Sequence, residues 1–156
     1  MIEFITLVIL VGLIAVLWSS FYRVASPKIL VEITESSIVL TTKNKKIDLK
    51  PYLYISKGNK RNRLLSVGEG TPPSEPSIKV DLMKYNGEVG GKEQYLECLS
   101  AYFRHAFYKV VGRKLFVIPN VSIIGAGKIV SSIHEISEKS IFKAIKQAGA
   151  SQCKFK

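Results

Sequence analysis

Apolar residues run from Ile2 to Tyr22 with a single charge among them, Glu3. A hydrocarbon core about 30 Å thick is crossed by roughly 20 such residues in a helix. The run ends in Trp18, Phe21 and Tyr22 and is followed by Arg23, the aromatic belt and cationic flank expected where a helix leaves the bilayer. The pattern therefore predicts one transmembrane anchor over 1–23 and a short linker over 24–28. A cleaved signal peptide competes with this reading. It wants a basic N-region, an apolar stretch of about 7–15 residues and a small-x-small cleavage site. Here the N-region is acidic, the stretch is longer, and Ala25 and Ser26 follow Arg23 without that spacing. The segment is read as retained. Lys and Arg are kept on the cytoplasmic side, and Arg23 and Lys28 follow the helix closely, so residues 29–156 are expected in the cytoplasm.

Beyond the linker the period changes. The β-branched runs Ile29–Thr34 and Ser37–Thr42, separated by Glu35-Ser36, predict a hairpin. The alternating stretch Ile47–Ile55 predicts a third strand, with Pro51 at an edge or bulge. Lys43 to Lys46 forms the solvated turn between the second and third strands. From Lys92 to Val110 the apolar positions Tyr95, Leu96, Leu99, Tyr102, Phe103, Ala106, Phe107 and Val110 recur every three or four residues, one face of an amphipathic helix. The run Lys114–Ile118, stopped by Pro119, has the length and composition of a buried strand. A second helix is predicted from the N-cap Ser137 through Ile141, Ala144, Ile145 and Ala148, with Gly149 to end it. Cys153–Lys156 would add a last short strand. The predicted order is β-β-β-α-β-α-β, an α/β arrangement with helical crossovers between the later strands. Gly68–Ser77, with three prolines, and Asn86–Gly91 read as loops within one domain.

Charge sharpens this picture. All 23 Lys and Arg but only 11 of the 12 Asp and Glu follow the apolar run, a net +12 on that part at neutral pH. Roughly 130 residues suffice for one domain with a core. On a tethered domain such a charge is attracted to anionic head groups. Nucleic acid would ask for a basic stripe with stacking aromatics, whereas these cations are scattered. The candidate anion- or partner-binding residues are Lys57, Lys60, Arg61, Arg63, Arg113, Lys114 and Lys128. Cys98 and Cys153 have no disulfide or metal-site spacing and read as small buried side chains.

Several segments resemble the first subdomain of the actin superfamily, in its bacterial MreB-like branch. Leu49–Ile55 is similar to the family's third strand, Ser66-Val-Gly-Glu69 to a short element that follows it, and Lys114–Pro119 to a strand ending in proline. Ile136–Ala150, closing in Ala-Gly-Ala, resembles a family helix that leads into the next strand. The resemblance implies an RNase H-like, mixed five-stranded sheet in the order 3-2-1-4-5. It also exposes departures. Family members that use ATP carry Asp-x-Gly-x-x between the first two strands, where glycine lets backbone amides approach a phosphate. This sequence has Glu32-Ile-Thr-Glu-Ser-Ser37 there, and it stops before the family's second phosphate loop and second large subdomain. No nucleotide or other cofactor is expected from this chain alone.

Other chemistry is thinly supported. Gly125-Ala-Gly-Lys128 is similar to a phosphate-binding loop, but a Walker motif needs G-x-x-x-x-G-K-[ST], and Ser122 and Ile129 stand at its first glycine and Ser/Thr positions. It reads as a loop between strand and helix. Metal-dependent nuclease chemistry needs several converging carboxylates; Glu32, Glu35, Asp48 and Asp81 supply no clear third ligand. Ser131, Ser132 and His134 are close in sequence, which does not make a triad. The expectation is a single-pass protein of the bacterial inner membrane with no enzymatic activity. Its cytoplasmic actin-like module would bind or scaffold other proteins of cell-shape, envelope or pilus machinery. The alternative is a basic domain that binds anionic lipid or nucleic acid.

Overall fold

A computed structural model of the chain describes residues 2–57, 63–84, 90–112, 119–132 and 136–156, and their side chains except those of 2–4, 21–25 and 132. The first element, α1 (Ile2–Ala25), is one unbroken helix of 24 residues, about 36 Å at 1.5 Å per residue. Its described apolar side chains, among them Leu10, Leu17 and Trp18, are more than half exposed. Among the described residues no helix is long and apolar enough to cross a membrane. The span expected over 1–23 is thus helical in its backbone, and no membrane crossing is shown among the described residues.

Five strands form the main sheet: β1 (Lys28–Ile33), β2 (Ile38–Thr41), β3 (Lys46–Leu49), β7 (Asn120–Ile124) and β8 (Gln152–Phe155). Their order is β3-β2-β1-β7-β8, the predicted 3-2-1-4-5. The hairpins β1-β2 and β2-β3 are antiparallel, while β7 and β8 join in parallel. Alternation sets the two faces. Ile29, Val31, Ile33, Ile38, Leu40, Val121, Ile123 and Cys153 are buried on one, beneath α2 (Lys92–Val111) and α4 (Glu138–Gln147). Leu30, Glu32, Val39, Thr41 and Ser122 on the other are half-buried, and Ile124 is exposed.

The predicted third strand divides at its proline. Leu49 closes β3 in the main sheet. Tyr52 opens β4 (Tyr52–Ser56), which lies between β5 (Leu64–Val67) and β6 (Ser77–Asp81) in a separate antiparallel sheet. Proline cannot donate to a ladder and fixes its own φ, so the chain leaves one sheet at Pro51 and enters the next. The buried alternation of Leu49, Leu53 and Ile55 continues through the change, which is why one strand was expected. Of this second sheet the sequence expects β4, as the far half of the third strand, and the Ser66–Glu69 element, which overlaps β5; β6 offers just Ile78 and Val80 as apolar alternates.

The strand expected at Lys114–Ile118 falls on 113–118, outside the described residues. A strand does follow at once: β7 starts after Pro119, and the Asn120 amide donates to the Pro27 carbonyl at 2.9 Å. The stretch read as a loop around Gly125–Lys128 instead begins a helix, α3 (Ala126–Ser132). The α2 and α4 expectations hold. Tyr95, Leu99, Tyr102, Phe103, Ala106, Phe107 and Val110 of α2 are buried, and the Ser137 side chain caps α4 by accepting from the Ser140 amide. Gly149, at φ +112°, follows the end of that helix.

Candidate functional site

In open α/β sheets ligands gather at the carboxyl ends of the strands, where the strand order switches direction. Here that place lies between β1, whose chain turns back into β2, and its parallel neighbour β7. Two segments form this rim: the turn Thr34–Ser37 and the start of α3 at Gly125–Lys128.

The turn is closed upon itself. The Thr34 amide donates to the Ser37 carbonyl at 2.9 Å. The Ser37 amide donates to Thr34 Oγ1 at 3.0 Å, and that hydroxyl in turn donates to the Ser37 carbonyl at 2.9 Å. Two amides that a phosphate loop would present are therefore used inside the turn, and Glu35 between them adds an exposed negative charge. A phosphate would meet repulsion and few donors.

Gly125 explains how close the second segment approaches. Its φ is +82°, and a Cβ built there would stand 2.3 Å from the Ile33 carbonyl oxygen. Only glycine fits this meeting of two strand ends. Lys128 follows on α3, exposed, its amide donating to the Gly125 carbonyl at 3.0 Å. Ser131 Oγ donates to the Lys128 carbonyl at 3.1 Å, a local helix bond. Gly125 thus serves a tight packing, and the residues that follow it begin a helix.

The carboxylates do not converge. Glu32 and Asp48 occupy one cross-strand row through Val39, two strand spacings or about 10 Å apart. Asp81 Oδ1 accepts from the Met83 amide at 2.8 Å. Among the described residues no three His, Cys, Asp or Glu side chains form a metal-binding group. His134 lies outside the described residues.

The predicted basic residues separate into places. Lys57 and Arg63 both lie at one end of the second sheet, where the Ser56 amide donates to the Arg63 carbonyl and the Arg63 amide to Ser56 Oγ. Arg63 Nη2 donates to both Glu75 carboxylate oxygens, Oε1 at 3.1 Å and Oε2 at 3.0 Å. Lys128 stands on a different element beside the main sheet. Lys60, Arg61, Arg113 and Lys114 lie outside the described residues. A grouping that sequence reading missed lies at the opposite rim of the main sheet. There the β2-β3 turn brings Lys43, Lys45 and Lys46 to the level of Lys28, because Thr41 pairs with Leu30. Contiguity of Lys43, Lys45 and Lys46 was visible in the sequence; their alignment with Lys28 depends on strand register.

The two thiols are buried. Burial, with Glu97 nearby, pushes Cys98 up to about 11; burial also raises Cys153 to about 11, against a lowering effect of Lys146. Both are neutral and unreactive at physiological pH.

No family profile and no curated protein sequence matches the chain. Among solved structures it is similar to the crystal structure of MreB 5 of Spiroplasma citri bound to AMPPNP, with a TM-score of 0.53 at 12% identity. The likeness covers 84% of this chain and 38% of that one. The chain therefore has an actin-like fold, and the match spans well under half of that protein's length.

Proposed function

We propose that the chain is a membrane-anchored, actin-like binding or scaffolding module that works without nucleotide and without catalysis. The observation that carries this reading is the β1-β2 turn. The Thr34 and Ser37 amides bond within the turn, it has no glycine, and it presents Glu35 where a phosphate would need donors. Anchoring is supported by the helical backbone of Ile2–Ala25 and its apolar sequence, and by the cationic residues that follow. An interaction role is supported by the main sheet. Parallel strands are ordinarily covered on both faces, whereas β1 and β7 carry half-buried Leu30, Glu32 and Ser122 and exposed Ile124 on theirs. Other proteins of a membrane assembly would pack there.

Thermal unfolding of the full chain in detergent, with and without ATP, AMPPNP and magnesium, tests the reading. A ligand that binds only the folded state must stabilise it, by about 2.7 kcal/mol at a hundredfold excess over Kd. The expected shift in Tm is nil. A rise of several degrees with nucleotide overturns the proposal.

A further inference from the structure

The main sheet carries its charge unevenly between its two rims. At the rim where β1, β7 and β8 begin lie Lys28, the β2-β3 turn with Lys43, Lys45 and Lys46, the end of α2 with Lys109, and the end of α4 with Lys146. Hydrogen bonds tie these segments together: Lys45 Nζ to the Lys109 carbonyl at 2.6 Å, Lys146 Nζ to the Ser151 carbonyl at 2.8 Å, and the Ser151 amide to the Pro119 carbonyl at 3.0 Å. No Asp or Glu occurs in 26–28, 41–46, 109–112, 119–120 or 146–152. Glu69 approaches from outside, 3.7 Å from Lys109 Nζ. The opposite rim is mixed, with Glu35 and Glu138 against Lys50, Lys128, Lys139 and Lys156.

The basic rim is also the one that receives α1. The helix ends at Ala25 and β1 begins at Lys28, and three residues reach at most about 11 Å. Resting on the anchored reading above, we infer that this rim docks on the anionic head groups of the bilayer that α1 enters. The head groups would meet Lys28, Lys43 and Lys46, all exposed, and Lys45 where its own bond permits. Docking holds the Thr34–Ser37 turn and the start of α3 away from the bilayer, toward whatever protein the module recruits. At about fivefold in docked population for each basic residue near the surface, the four lysines suffice to select one orientation.

The test uses the full chain in lipid nanodiscs of phosphatidylcholine, alone or with about a third phosphatidylglycerol. A fluorophore is placed on Asn44→Cys or on Ser36→Cys, with an acceptor dye in the lipid. Cys98 and Cys153 are buried and label slowly. Energy transfer from position 44 should rise with phosphatidylglycerol, exceed that from position 36, and fall at high salt. Lys43→Glu with Lys46→Glu leaves the Lys45 bond in place and should reduce the docked population by more than tenfold. A chain that stays in the discs but shows the same transfer in both lipids, or equal transfer from both positions, overturns the docking alone. A chain that leaves the discs overturns the anchored reading and the docking with it.

Discussion

Replacing Gly125 by alanine separates a packing role from a phosphate-loop role for Gly125-Ala-Gly-Lys128. The new Cβ would lie 2.3 Å from the Ile33 carbonyl oxygen, and ordinary contact needs about 3.4 Å, so the strand ends must part by about 1 Å. Forcing apart a well-packed contact costs about 1–3 kcal/mol. Holding an L-residue in the left-handed region costs about 1–2 kcal/mol more. The expected loss is about 4 kcal/mol, a large share of the 5–15 kcal/mol that stabilises a typical domain. With a urea slope of about 2 kcal/mol per molar, the midpoint should fall by about 2 M. Near-ultraviolet circular dichroism of the buried Tyr95 and Tyr102 reports the transition in the full chain in detergent. Gly127 is the internal control. A Cβ there meets nothing within 4 Å, and Gly127→Ala should stabilise α3 by up to about 1 kcal/mol. A Gly125→Ala midpoint within about 0.5 M of wild type, or equal effects of the two substitutions, would refute the close approach of the two strand ends.

Two further outcomes are expected. Tyr102→Phe removes the bond from Tyr102 Oη to the Lys50 carbonyl, 3.0 Å long, and leaves that carbonyl the Tyr52 amide at 2.8 Å; the lost bond should cost about 0.5–1.5 kcal/mol, read as a lower Tm, while Tyr108→Phe on the exposed side of α2 should change little. Cys98 and Cys153, both raised from an ordinary 9.0 to about 11, keep the folded state more protonated than the unfolded one between those values. Their contribution to stability is thus fully present below pH 9 and lost as pH rises toward 11. Urea midpoints measured across that range should fall, and Cys98→Ala with Cys153→Ala should flatten the decline.

Much of the fold was legible because its signals are local. The heptad-like spacing of Tyr95, Leu99, Tyr102 and Phe103 marks a helix face by itself, and Ser137 with Glu138 marks a helix start. The β-branched runs Ile29–Thr34 and Ser37–Thr42, parted by Glu35-Ser36, mark a hairpin. Pro51 was legible as an interruption, yet nothing nearby says whether a proline bends a strand or sends it into another sheet. That depends on β5 and β6, which pair with β4 from 9 to 29 residues away in the chain. The same limit applied at Pro119, where strand formation rests on pairing with β1, more than 90 positions earlier.

By itself, the sequence determined the apolar first helix, the excess of positive charge, the hydrophobic faces of α2 and α4, and the absence of glycine from the first turn. These follow from side-chain chemistry and spacing along the chain. Tertiary structure alone decided the rest. It consumed the Thr34 and Ser37 amides within their turn, made Gly125 obligatory by bringing Ile33 against it, and parted Glu32 from Asp48 by an intervening strand. It also brought Lys28 level with the Lys43–Lys46 turn while leaving Lys57 and Arg63 on a separate sheet. The physical reason is that charge, amide supply and close approach act through distance in space, and strand pairing sets those distances between residues remote in sequence.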